Sequence, residues 1–347
     1  INIIMKILKI IFYNLLILIF LIVFFEIFLG YWFKKENFGI YMRKERKINW
    51  ETTSSFYGKD YNFNYQRNFW GFRGKNFNPE DVRIVFEGGS TGNQRYTPEN
   101  LTIVGMLNEK FEELGHNIHI YNASTDGKSV SGYINDFNFW FTKIPNFNPS
   151  YVIFFIGIND RFDNFEGRFF LDTKISEKKI DQIKDYIKNN SFFVDKFKFI
   201  KNRYFPKNTF AYDLSSNSMY DNFEYTDYKK ATQMHKKINE DNLFLIEKFR
   251  SKLDQLKLII DRKKIKPIFI NQLMYDGLKD RNLFLINNEL KKFASENEYY
   301  FIPLDEILSM KEKDYFDTAH TTPQGSKRIV EKIFPLLLKF FKENDEI

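Results

Sequence analysis

Ser90, Asp317 and His320 are the residues of this 347-residue chain whose types and surroundings point to nucleophilic chemistry. Ser90 lies in VRIVFEGGSTG (82–92), where an apolar run breaks into a glycine-rich turn and a helical pattern begins. A serine on a sharp turn at the carboxyl end of a sheet strand projects its hydroxyl into a crevice, where nearby amides are free to stabilise an oxyanion. Such a hydroxyl needs a base, and the chain has four histidines. His116 and His119 lie three apart on an extended stretch, point to opposite faces and make a poor metal pair. His235 sits in a Lys-rich helical stretch and reads as solvated. His320 differs, because DTAHTTPQG places Asp317 three residues upstream, and one turn of backbone brings that carboxylate to the imidazole Nδ1.

An oxyanion hole would need donors on the same side. Gly127, in NASTDGKS, offers a backbone amide with no side chain in the way, and Asn159, in FFIGIND, offers a side-chain amide. Each feature has an ordinary reading when it occurs alone: a turn glycine, a helix-capping asparagine, an Asp-x-x-His that merely caps a helix or decorates a surface. Here all of them follow successive predicted strands at one sheet edge, and that coincidence outweighs any single motif.

The elements that must position them alternate short apolar runs with helical periods, the pattern of a parallel sheet covered by helices. Strands are predicted at 82–87, 117–121, 151–156, 267–271 and 299–302, and helices at 98–114, 130–143, 237–263, 283–297 and 323–342. Thr322 before Pro323 is a start signal for the last helix, a capping hydroxyl followed by a first-turn proline. Residues 163–235 form an insertion between the third and fourth strands, expected as helices and loops over the sheet's carboxyl edge, a lid or substrate wall. Residues 34–80 read as a linker that becomes an ordered lead-in to a domain at 81–347, with Trp70, Phe72 and Phe77 packing on the domain's flank. Arg73 reads as half of a structural ion pair rather than a ligand contact.

Residues 10–33 are apolar apart from Asn14 and Glu26, and about twenty residues suffice to cross a bilayer, so residues 1–33 are expected to be a membrane anchor. FLGYWFKK is a poor cleavage site, which favours an uncleaved anchor. Tyr31 and Trp32 sit where an aromatic belt would hold it at the interface. The chain carries a net +7, but residues 1–47 hold eight basic residues and three acids, leaving only +2 for the remainder. A nearly balanced main domain gives nucleic acid no electrostatic basis as a partner. With no cysteine, disulfides and thiolate zinc sites are excluded, and no metal or other cofactor is expected.

Four blocks in order (GGST around Ser90, NASTDG with Gly127, GIND with Asn159, DTAH with Asp317 and His320) make residues 82–342 resemble the SGNH, or GDSL-type, hydrolases. The resemblance implies a three-layer α/β/α sandwich, flavodoxin-like, with a parallel five-stranded sheet of order 2-1-3-4-5. It also implies roles: Ser90 as nucleophile and backbone oxyanion donor, Gly127 and Asn159 completing the oxyanion hole, His320 as general base and acid, and Asp317 orienting it. Gly89 departs from the name-giving pattern, which has Asp there, and marks a membrane-anchored branch. The same glycines also fit G-x-S-x-G, the nucleophile elbow of α/β-hydrolases. Against that stand the position of Ser90 after the domain's first strand and the single loop shared by Asp317 and His320.

The expected function is that of a serine esterase acting on ester groups, O-acetyl groups of a cell-surface glycan among them, through an acyl-serine. The alternatives are an O-acyltransferase that passes the acyl group to a sugar hydroxyl, and a non-catalytic scaffold of the same fold that binds a glycan or partner. Flanking charge, Lys6 and Lys9 against six basic residues after the span, argues for a cytoplasmic domain. The resemblance and its substrates argue for an extracytoplasmic one, which is the placement expected.

Overall fold

The computed structural model describes residues 2–30, 32–33, 45–52, 61–162, 179–205, 207–211, 223–237, 239–344 and 346. Helix α1 (Asn2–Leu29) is followed by strands β1 (Lys47–Thr52) and β2 (Tyr61–Gln66), and then by β3 (Ile84–Gly88) and the short helix α2 (Ser90–Asn93). Next come α3 (Ile103–Glu113), β4 (Ile120–Asn122), α4 (Val130–Asn135) and β5 (Tyr151–Phe155). The insertion supplies α5 (Lys179–Asn190), α6 (Phe192–Tyr204), β6 (Lys207–Ala211) and α7 (Tyr228–Met234). The chain closes with α8 (Glu240–Lys263), β7 (Lys266–Ile270), α9 (Arg281–Glu296), β8 (Tyr300–Ile302), α10 (Leu304–Ile307) and α11 (Pro323–Glu343).

The main sheet has the order β4-β3-β5-β7-β8, all pairs parallel, which is 2-1-3-4-5 for its strands in sequence order. Because side chains alternate across a strand, β3 sends Ile84 and Phe86 to the face covered by α3 and α11. Val85 faces the other side with Val152, Phe154 and Phe269, beneath α4, α8 and α9. Both faces are buried, as a parallel sheet requires.

Helix boundaries follow local chemistry. Thr102 caps α3 by accepting from Gly105 N, Asn239 forms a capping box at α8, and Thr322 caps α11 ahead of Pro323. Helix α4 runs on through a π turn (Asp136–Trp140) and a 3₁₀ turn (Phe141–Lys143), so the helical stretch ends at the predicted residue.

The stretch between the anchor and the main sheet is more ordered than a linker. Strand β1 pairs antiparallel with β2 and parallel with β6, giving a second, three-stranded sheet that draws one strand from the insertion. Ile48, Trp50, Phe63 and Tyr65 form its small core. Beyond β2, Phe72 is fully buried among Phe77, Trp140 and Phe141, and Trp140 Nε1 donates to the Trp70 carbonyl. The flank packing expected of those aromatics is therefore present. Part of the expected lid, at 163–178 and 212–222, lies outside the described residues.

Candidate active site

Strand β3 ends at Gly88, Gly89 is the N-cap, and Ser90 is the first residue of α2. As a first-turn residue it has a backbone N–H with no intrahelical acceptor, the kind of donor an oxyanion can use. The loop after β4 carries Gly127 at φ +74°, a left-handed conformation that a side chain would strain. The loop after β5 carries Asn159, whose Nδ2 donates to the Lys128 carbonyl at 2.9 Å. The loop before α11 carries Asp317 and His320. Asp317 Oδ2 lies 2.7 Å from His320 Nδ1, while its Oδ1 accepts from the backbone N–H groups of Ala319 and His320, each at 2.8 Å. Burial alone would raise the Asp317 carboxyl, but the bonds from His320 and Ala319 outweigh it and hold it below the ordinary carboxylate range.

Ser90, Gly127 and His320, with Arg95, Tyr96 and Asp126, line one cavity of about 250 Å³. Asp317 stands behind His320. Asn159 is not among that cavity's lining residues, and its amide packs instead against Gly89. A Cβ at position 89 would lie 2.2 Å from Asn159 Nδ2 and 3.1 Å from the Lys128 carbonyl oxygen. The glycine that departs from the family pattern is thus the one residue type that leaves the Asn159 amide where it is. The Gly89 backbone itself, at φ −80°, would accept any residue.

Several side chains that hold this arrangement together were not singled out in the sequence. Gln94 donates to Thr321 Oγ1 and Ser326 Oγ at 3.1 and 2.6 Å and accepts from Ile103 N, tying the turn after Ser90 to the residue next to His320. Gln272, just past β7, donates to Thr91 Oγ1 and the Phe155 carbonyl and accepts from Ile158 N, so it joins the neighbours of Ser90 and Asn159. Buried Arg67 donates to the Ser124 carbonyl through both terminal nitrogens. Arg73 pairs with Glu99 at 2.7 Å and donates to the carbonyls of Asn93, Gln94 and Thr97, which is the structural ion pair expected of it.

Lys128 is fully buried, and its ammonium donates to Glu87 Oε2 and the Ala123 carbonyl, each at 2.8 Å, and to Asp136. One cation faces two carboxyls in a dry setting. Burial dominates, so both carboxyls are raised, Glu87 well above its ordinary range, against the opposing pull of the Lys128 ammonium. Because Lys128 is next to Gly127 and its carbonyl receives the Asn159 amide, this trio anchors the loop on which both candidate oxyanion donors depend.

One expectation fails. His235 is buried, not solvated: its Nε2 lies 3.0 Å from the Leu278 carbonyl and its ring packs on Phe284. The lysines that made the segment look wet lie on the other sides of the turn ending α7.

A parallel sheet of order 2-1-3-4-5 with helices on both faces defines an α/β/α sandwich, and its carboxyl edge carries the serine turn and the Asp–His loop. The chain belongs to the GDSL-like Lipase/Acylhydrolase family, whose model matches residues 52–333. The match begins at the last residue of β1, so it takes in β2, β6 and the whole main sheet but not the rest of β1. Among solved structures, TesA overlaps 74 % of this chain and 97 % of its own at 12 % identity and a TM-score of 0.43. The psychrotrophic esterase EstA of a Pseudoalteromonas species overlaps 76 % and 100 % at 11 % identity and 0.43. The acetyl xylan esterase AlAXEase overlaps 74 % and 99 % at 13 % identity and 0.39. No curated protein matches.

Proposed function

We infer that this protein is a membrane-anchored serine esterase that removes small acyl groups from a polar alcohol through an acyl-serine intermediate. The observation that carries the reading is the shared cavity: Ser90 and His320 line it together, and Asp317 orients His320 from behind. In the first half-reaction His320 takes the Ser90 proton through Nε2 while Oγ attacks the ester carbonyl. The N–H groups of Ser90 and Gly127 and the Asn159 amide receive the developing oxyanion. The proton then passes to the departing alcohol; water, deprotonated by His320, attacks the acyl-serine, and as the bond to Oγ breaks His320 returns that proton to Ser90 and the acid leaves.

The cavity's size and lining support the substrate class. A volume of about 250 Å³ is below the range usual for drug-sized ligands and suits an acetyl or similarly short acyl group. Its other wall joins an aromatic ring to an ion pair, Tyr96 beside Arg95, which pairs with Asp126 at 2.9 Å. Such a wall suits a polyhydroxylated alcohol such as a sugar, an O-acetylated cell-surface glycan being the natural form. Helix α1 supports the anchor: within Ile3–Leu29 an 18-residue window has a mean hydropathy of 2.8 and no buried residue. Its 28 residues reach about 42 Å, enough for a hydrocarbon core of about 30 Å. On this reading the catalytic domain faces the extracytoplasmic side, where such a glycan would be met.

The test is hydrolysis of p-nitrophenyl acetate by the purified full chain. Ser90→Ala is expected to abolish it while the far-ultraviolet circular dichroism and thermal midpoint stay unchanged. A rate equal to the parent's would remove Ser90 from the mechanism.

A further inference from the structure

Helices α5 and α6 carry apolar stripes that nothing in the described structure covers. On α5, Ile180, Ile183 and Ile187 fall at i, i+3 and i+7. On α6, Phe197, Ile200 and Tyr204 do the same, and all six are between 45 % and 68 % exposed. A stripe at this spacing is what a helix normally buries, and two adjacent ones form a patch that a protein surface in water seldom leaves open. The patch is continuous with the anchor. Glu26, near the end of α1, accepts from Ser191 Oγ at 2.6 Å and from the first N–H groups of α6, Phe192 and Phe193, at 3.0 and 3.2 Å. Phe25 packs on the rings of both phenylalanines, and Trp32 stacks edge-on to Tyr186 of α5 while donating to Glu26 at 2.8 Å.

These contacts set the height of the helices. A span of about 42 Å overshoots a core of about 30 Å, so Glu26, three residues before the end of α1, falls in the headgroup layer. There its carboxylate and the indole of Trp32 are at home. Helix α6 starts at that level. Exposed Lys196 and Arg203, seven residues apart, run beside its apolar stripe, the arrangement of a helix lying in the plane of an interface with its cations toward lipid phosphates.

We propose that α5 and α6 lie in the bilayer interface beside α1 and make the insertion a second membrane contact that fixes the tilt of the catalytic domain over the lipid. The proposal rests on the reading of α1 as a membrane span. One anchor helix joined by a long segment would leave the domain free to swing, whereas two interfacial helices clamped to the end of that anchor hold it at one height. A second copy of this chain is the competing occupant. The basic side chains beside the stripe and the shared level with the end of α1 favour lipid.

The absence of cysteine allows one nitroxide per variant. The full chain would be reconstituted in phosphatidylcholine–phosphatidylglycerol vesicles with single labels at Ile183→Cys, Phe197→Cys, Phe20→Cys within α1, and Leu258→Cys on the exposed face of α8. Accessibility to oxygen would be compared with accessibility to a water-soluble nickel chelate. Expected are shallow membrane depths at 183 and 197, a deep one at 20 and an aqueous one at 258. If 183 and 197 are as open to nickel as 258 while 20 is deep, the span stands and the proposal falls. Shielding of 183 and 197 from both reagents would mean protein covers the stripes, which also overturns it. An aqueous reading at 20 would overturn the span itself and the proposal with it.

Discussion

Replacing Gly89 by alanine tests how the site is held without touching any group given a chemical role. The backbone there, at φ −80° and ψ −151°, tolerates a side chain, so the effect comes from the added methyl alone. That methyl would sit 2.2 Å from Asn159 Nδ2 and 3.1 Å from the Lys128 carbonyl oxygen. A carbon–nitrogen contact settles well over 3 Å, so the asparagine amide must move by about 1 Å or more, and its 2.9 Å bond to Lys128 is lost. An oxyanion donor displaced that far is in effect removed, at a cost of about 10²–10³ in turnover, or roughly 2.7–4 kcal/mol of transition-state stabilisation. The assay is kcat for p-nitrophenyl acetate in four proteins: parent, Gly89→Ala, Asn159→Ala and the double variant. Since the alanine at 89 acts through Asn159, the double variant is expected near the slower single one rather than at the product of the two losses. A Gly89→Ala enzyme at the parent's rate, or losses that multiply, would refute the link.

Asp317→Asn should keep the fold and lower kcat by about 10⁴ if the aspartate sets the imidazole tautomer, as read from steady-state kinetics. Lys128→Met leaves two carboxyls in a dry site and is expected to destabilise the protein by about 3–5 kcal/mol, measured as the shift in denaturant midpoint. Asp160, next to Asn159, accepts from Val130 N at the start of α4, and burial pushes its carboxyl up to about 7 from an ordinary 3.8. A raised carboxyl makes the folded state bind the extra proton, so this group's contribution weakens as pH climbs from about 4 to 7, with a limiting slope of about 1.4 kcal/mol per pH unit, and is level above that. Asp160→Asn should flatten that part of the stability–pH curve and stabilise the protein at pH 8; an unchanged curve would show that Asp160 is ionised throughout.

What could be read in the sequence and what could not divides along chain distance. The strands and the common edge that carries Ser90, Gly127 and His320 were legible because each residue lies in a loop after a strand or before a helix whose periodicity is strong, whereas the sheet order came from the family resemblance. The Asp317–His320 contact spans three residues, and such local geometry can be seen in a motif. The braces were not legible. Lys128 meets Glu87 across 41 residues, Gln272 meets Thr91 across 181 and Gln94 meets Ser326 across 232. A lone buried lysine or glutamine reads as a surface residue until its partner is placed. The second sheet escaped for the same reason, since β1 completes its pairing with a strand about 160 residues later. His235 misled because neighbouring lysines describe the wet side of a turn and say nothing of the side facing Phe284.

The central claim is that Ser90 is an activated nucleophile, and a fluorophosphonate probe asks that directly. Intact-mass and peptide mass spectrometry of the labelled full chain should find one adduct, on Ser90, formed within minutes, absent from Ser90→Ala and strongly slowed in His320→Ala. No adduct, or one on another residue that persists in Ser90→Ala, would contradict the account.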